Sequence, residues 1–260
     1  MKYIDTKAQD DLLVEKLEDG EVFSFRCHEG LECFTRCCRN LNLFLYPYDV
    51  LRLKSLLNIS SEEFLDAYVD IVMRESNFFP DVLLRMAENK ERACPFLNES
   101  GCTVYPDRPD TCRTFPLEQG IIFHGPKEKA ADIYFFKPPD FCLGQHESQE
   151  WTIETWAEDQ RAVTYHEMTA KWAEVKGLFQ VNPWGAEGPY GPKAKMAFMA
   201  TYNPDSFRDF VFNSTFLKRY KVKPDVLRKI KTDDLALMKF GFAWVKFFVW
   251  GITTSYLRPR

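Results

Sequence analysis

Eight cysteines, all of them before residue 143, constrain this 260-residue chain more than any other feature. Cys27, Cys33, Cys37 and Cys38 lie in C-H-E-G-L-E-C-F-T-R-C-C. Cys94, Cys102 and Cys112 lie in C-P-F-L-N-E-S-G-C-T-V-Y-P-D-R-P-D-T-C-R-T-F-P. Cys142 follows in F-C-L-G-Q-H. A chain of this length can bury a sizeable core without crosslinks, so the cysteines are not needed as staples. The N-terminus, MKYIDTKAQDDLLVEKLEDG, carries acids early and lacks the apolar core of a signal peptide. No apolar run reaches the roughly 20 residues of a membrane span. These features predict a cytoplasmic protein without a membrane span. Thiols stay reduced in that compartment, and a cysteine-dense region there reads as a metal site rather than a disulfide framework.

Thiolates are soft ligands that suit zinc and iron–sulfur clusters. Short stretches can deliver several of them to one centre only through tight turns. Asn98-Glu99-Ser100-Gly101 supplies a turn between Cys94 and Cys102, and Pro106-Asp107-Arg108-Pro109 another before Cys112. Four thiolates around zinc or a four-iron cluster leave about two negative charges. Arg36, Arg39, Arg92 and Arg113 stand beside cysteines, where they favour the thiolate. Phe34, Phe96, Phe115 and Phe141 are placed to keep water away. Adjacent residues do not readily face one metal, so Cys37 and Cys38 are expected to serve different sites, or one to be a spare thiol. All eight cysteines are candidate ligands, as two four-thiolate sites or as one site with four further thiols. The cofactor is expected to be an iron–sulfur cluster ([4Fe-4S]) or zinc. His28 and His146 lie near cysteines but read as surface or supporting groups. His124 reads as structural, and His166 as solvated beside the apolar face of its helix.

The spacing C-x5-C-x3-C-C, followed by CPFL, GCTVYPDRPDTCRTFP and a late cysteine, resembles the zinc- or iron-chelating cysteine-cluster family (YkgJ-like) over about residues 21–145. That resemblance implies metal binding through the matched cysteines, with neither metal nor reaction specified. The flagellin lysine N-methylases share a similar cysteine region, which keeps a transferase among the alternatives. No glycine-rich strand–loop–helix for S-adenosylmethionine is present, and the radical-enzyme pattern C-x3-C-x2-C would need a cysteine at Asn40. No catalytic residue emerges, and whether the chain is an enzyme is left open.

The cysteines also divide the chain. A metal-binding domain is expected over 1–147 and a helical domain over 148–260. The fold class is α+β: a small cysteine-rich domain of short strands and helices, then a mostly α-helical half packed against it. Helices are expected over Thr6–Glu18, 47–58 and from Ser60 onward, where Ser60 and Glu63 make a capping box. Strands are expected over 21–27, 41–46 and within VDIVMRE and VLLRMA, with IIFHG and ADIYFF paired as a hairpin. One long helix is expected over Thr152–Lys176, burying Tyr165, Met168, Trp172, Val175 and Phe179. Asn203-Pro204-Asp205 and Thr232-Asp233-Asp234 read as helix starts. The apolar run Leu235–Trp250 reads as a buried helix with Lys239 and Lys246 on one wet stripe. The expected partners are a metal ion or cluster, and a protein docked on the aromatic helical half. Net charge is −4 and the pI about 5.7, which argues against a nucleic-acid partner but not against a local basic patch. The runner-up function is a zinc-stabilised interaction module.

Overall fold

The structure, a computed structural model, describes residues 16–75, 77–122 and 131–260. Most of the Thr6–Glu18 helix, His124 and the tip of the IIFHG run lie outside them. The fold is α+β, with ten α-helices and several small antiparallel sheets among the described residues. The chain forms two compact units, one from Met1–Leu43 and Arg85–Ala170, the other from Phe44–Leu84 and Lys171–Arg260.

The first unit contains all eight cysteines. The strand expected over 21–27 is reduced to Phe23–Ser24, which pairs antiparallel with Glu150–Trp151. The expected hairpin forms between Leu117–Ile122 and Ala131–Phe136, with Leu117 opposite Phe136. Phe23, Phe25, Leu117, Cys142 and Trp156 make the buried core between them. The Trp156 ring stands edge-on to Phe23 and Phe25, and its Nε1–H donates to the Thr114 carbonyl at 2.9 Å. This buried indole donor is therefore paired.

The expected helix over Thr152–Lys176 is two helices, Ile153–Asp159 and Val163–Leu178. The break lies at Arg161, whose φ of 52° is left-handed. No glycine or proline announces it. The predicted apolar face of the second helix is buried throughout.

The second unit carries a three-stranded sheet in the order Phe44–Leu45, Asp81–Leu84, Val69–Val72. Helices Pro47–Leu57 and Ser61–Tyr68 form where expected, the latter with the Ser60–Glu63 capping box. Asn203 caps Pro204–Asn213 through its side chain, and Asp233 caps Asp234–Trp250. Asp234 pairs with Arg208, so this acid pair starts a helix and anchors it. The helices Pro192–Tyr202 and Asp234–Trp250 approach closely at Gly241, where a Cβ would lie 2.1 Å from the Ala200 carbonyl oxygen. Stacked rings fill the space around them: Phe79 on Phe179, Phe198 on Tyr202, and Trp244 on Phe248. No helix among the described residues is long and apolar enough to cross a membrane.

Candidate metal centre

The first cysteine group begins where strand pairing ends. Phe25 N–H donates to the Gln149 carbonyl and Arg26 N–H to that of Gly144, at 2.8 and 3.0 Å. This lays Cys27 beside the chain that carries Cys142. Gly144 is required for the approach, because a Cβ there would stand 2.7 Å from the Arg26 carbonyl oxygen and 2.9 Å from the Phe25 ring. Successive turns then wind the segment tightly. Phe34 N–H bonds to Leu31 O, Arg36 N–H to Cys33 O, and Cys38 N–H to Thr35 O, each at 2.9 Å. Thr35 and Asn40 adopt left-handed φ of 61° and 51° to allow it.

The second group is zipped onto the first. Asn40 N–H bonds to the Arg92 carbonyl, and Cys94 N–H to that of Cys38 at 2.8 Å. Leu97–Asn98 and Gly101–Cys102 form a hairpin across the predicted Asn98–Gly101 turn, bringing Cys102 back toward Cys94. Cys112 lies on the short helix Asp110–Thr114. Cys142 precedes a helical turn, Leu143–His146, whose first N–H donates to Cys33 Sγ at 3.2 Å.

All eight cysteines are free thiols; Cys142 is buried, Cys27 exposed and the others intermediate. Several of these thiols are raised above their ordinary value by burial and by neighbouring thiols. Although the residue is exposed, partial desolvation of its sulfur pushes the Cys27 thiol up to about 11, with Cys37, Cys142 and Cys33 adding repulsion. A side-chain hydrogen bond with Cys38, then burial, raises Cys37. Burial raises Cys142, with Cys33 and Cys37 adding to it. Burial likewise raises Cys94 and Cys102, with Cys102 adding to the first and Cys37 to the second. Backbone N–H groups oppose these shifts: Phe96 at Cys94, Val104 at Cys102, and Gly144 and Gln145 at Cys142. Amides aimed at sulfur stabilise the thiolate, the form that ligates metal. This donor set has the chemistry of a thiolate metal site. The sulfurs are not drawn to a point, however. Among the described residues, no three His, Cys, Asp or Glu side chains are grouped to hold a metal ion as they stand.

Neither nearby histidine joins them. His28 Nδ1 accepts from Gly30 N–H, and its Nε2 faces Glu147 at 3.6 Å; His146 is exposed. Among the arginines, Arg39 opposes the rise of Cys37 while pairing with Glu91. Arg36 lies over the Phe141 ring. Arg113 is buried and donates to the carbonyls of Pro106 and Gln160, bracing the loop ahead of Cys112. Arg108 was not anticipated. It stacks on Tyr105, donates to Gln160, and has Cys112 and Cys102 as its nearby thiols. Its place in the Pro106–Pro109 turn was the available signal.

His166 is not solvated as expected. Its side chain is 11% exposed and lies in a polar network on the Cys112 helix. The Thr114 hydroxyl donates to Asp110 at 3.3 Å and lies 3.0 Å from His166 Nε2, while the Tyr134 hydroxyl meets Nδ1 at 3.1 Å. With Thr114 donating to the carboxylate, its oxygen accepts from Nε2–H, which leaves Nδ1 to accept from Tyr134. The Thr169 hydroxyl also donates to Asp110 at 2.6 Å, and burial raises that carboxyl above its ordinary range. Asp110 lies on the helix bearing Cys112, so the network ties that helix to Val163–Leu178.

The cysteine-bearing stretch matches a known family model from residue 26 to residue 154. Over those residues the chain is similar to the CxxCxxCC family. The family is described as "Putative zinc- or iron-chelating domain". No solved structure matches the chain. The match agrees with the resemblance drawn from the cysteine motifs and supports zinc or iron as what the CxxCxxCC domain binds. The first group here is wider than the family's name, with five and three residues between its cysteines.

Proposed function

We propose that the CxxCxxCC domain holds a thiolate-ligated centre, an iron–sulfur cluster in preference to zinc. The observation that carries this is the backbone lock at Gly144, which lays the Cys27 segment beside the one bearing Cys142, where Leu143 N–H donates to Cys33 Sγ; Cys37 follows on the same wound segment. These four form the first proposed ligand set. Cys38, Cys94, Cys102 and Cys112 form the second: the Cys38 and Cys94 backbones are bonded, the Leu97–Cys102 hairpin returns Cys102 to Cys94, and Arg108 neighbours Cys102 and Cys112. This partition gives adjacent Cys37 and Cys38 to different sites. Iron is favoured over zinc by the thiol surplus and by Phe34, Phe96, Phe115 and Phe141, which neighbour cysteines along the chain, since a dry shell matters to cluster stability. When bound, a cluster supplies one-electron redox chemistry, which suits electron transfer, redox sensing or an accessory role beside another enzyme. Eight free thiols fit a reducing compartment, and we place the protein in the cytoplasm.

The chain's own groups would hold the thiolates. Leu143 N–H donates to Cys33, and the Phe96, Val104 and Gly144 amides support Cys94, Cys102 and Cys142. Arg108 adds positive charge beside Cys102 and Cys112. Purification without oxygen, followed by iron, zinc and acid-labile sulfide analysis and a visible spectrum, tests the reading. A brown protein containing iron and sulfide is expected. A colourless protein with stoichiometric zinc would instead favour the zinc-stabilised interaction module.

A further inference from the structure

The chain has a net charge of −4, yet residues 218–231 read KRYKVKPDVLRKIK, with seven Lys or Arg against one Asp. All seven basic side chains are exposed. None makes an ion pair with a described residue. Structure adds two more. Tyr220–Val222 pairs antiparallel with Leu257–Pro259, setting Lys221 directly opposite Arg258, and Arg260 N–H donates to the Arg219 carbonyl. Like charges directly opposite in a strand pair are destabilising. A surface shaped only for solubility intersperses both signs. Concentrating one sign on a ribbon and the adjoining helix Pro224–Thr232, in an acidic chain, indicates an anionic partner.

Apolar side chains next to the same ribbon, Tyr220, Phe247 and the exposed Ile252, point to the partner class. Tyr220 packs edge-on against Phe247 at 5.9 Å. Just past the end of the helix bearing Phe247, on the stretch leading into Leu257–Pro259, Ile252 is 43% exposed. Basic residues are drawn to anionic lipid headgroups, and apolar and aromatic side chains beside them settle at the headgroup–acyl boundary. A nucleic-acid surface would instead place hydrogen-bonding groups or open stacking platforms at that border. We propose that the ribbon of Tyr220–Val222 and Leu257–Pro259, with the helix Pro224–Thr232 and the tip at Ile252, docks on an anionic membrane surface. The protein would bind peripherally, which is compatible with the absence of a membrane-crossing helix among the described residues.

The test uses the full chain as purified and sedimentation with phosphatidylserine–phosphatidylcholine vesicles against phosphatidylcholine alone. Binding at least tenfold tighter to the anionic vesicles is expected, weakening as salt is raised. The double variant Lys221→Glu/Arg258→Glu should lose at least tenfold, and Ile252→Asp about threefold, both with unchanged melting curves. If the double variant melts abnormally, Arg228→Gln/Lys231→Gln, both exposed and one helical turn apart, reads the same loss. Equal binding to neutral and anionic vesicles would overturn the proposal. So would wild-type affinity in the folded charge variants, or displacement from vesicles by single-stranded polyuridylate at lower concentration than by soluble phosphoserine.

Discussion

The two units solve the problem of staying folded by different means. The cysteine-bearing unit is stitched by turns, two-residue strands and amide-to-sulfur bonds, around a small core of Phe23, Phe25, Leu117, Cys142 and Trp156. The helical unit is filled with rings, and Trp172, Trp244, Phe79, Phe179, Phe207 and Phe216 are almost wholly buried. A unit built mostly from turns gains little from apolar burial to offset the entropy of ordering its loops. In the account proposed above, metal supplies the missing stabilisation for one unit, while apolar packing suffices for the other.

The largest effect separates the units outright. Stripping the metal with a chelator should melt the cysteine unit and leave the helical unit folded. Structural thiolate sites contribute on the order of 10 kcal/mol of folding free energy. Hydrogen exchange read by mass spectrometry should lose protection around Cys27–Cys38 and Cys94–Cys112 and retain it in Asp234–Trp250. Simultaneous loss in both would break the contrast.

Next in size is Trp172→Ala. Its ring meets Phe79, Tyr202 and Phe242, so about 3–5 kcal/mol of stability should be lost, with metal content unchanged. Chemical denaturation with parallel metal analysis checks both halves of that statement.

A pair of glycines sharpens the comparison. Gly241→Ala drives a methyl into the Ala200 carbonyl and should cost the helical unit at least about 1–3 kcal/mol without loss of metal. Gly144→Ala presses on the Arg26 carbonyl and the Phe25 ring, and should lower bound metal because it pushes Cys27 away from Cys142. Metal analysis of the two variants should therefore give opposite answers.

The smallest effect is a pH dependence peculiar to the helical unit. Lys176 is buried against the carbonyls of Phe79 and Pro80 with Asp81 at 3.2 Å. Burial pulls its amine down to about 8 from an ordinary value of 10.5, and Asp81 limits the fall. Between those values the unfolded chain binds more protons than the folded one. This residue's contribution to stability therefore rises as pH goes from 8 toward 10.5 and is flat below 8. The stability of wild type relative to Lys176→Met should increase over that window when the two are melted side by side.

What was legible in the sequence follows from how local each signal is. The helix from Pro47, the Ser60–Glu63 box, the Asn203 cap and the Asn98–Gly101 turn depend on neighbouring residues and appear as expected. The apolar face from Tyr165 to Phe179 is also present, because it lies wholly after the break and its periodicity reports burial. The break itself rests on a left-handed Arg161, for which no residue-type cue exists. The proximity of Cys27 to Cys142 rests on a two-residue strand pair and one glycine contact, both long-range. His166 was misread because its partners Asp110, Thr114 and Tyr134 come from other elements. The cysteine motifs led to the CxxCxxCC family through their residue types and flanks, which need no tertiary structure to be read.

Metal and acid-labile sulfide content, measured on anaerobically purified wild type beside Cys27→Ser, Cys33→Ser and Cys142→Ser, bears on the central claim most directly. Bound iron with matching sulfide in the wild type, falling by at least half in each variant, is the predicted result. A wild-type protein free of iron and zinc, or variants that all retain the full complement, would contradict it.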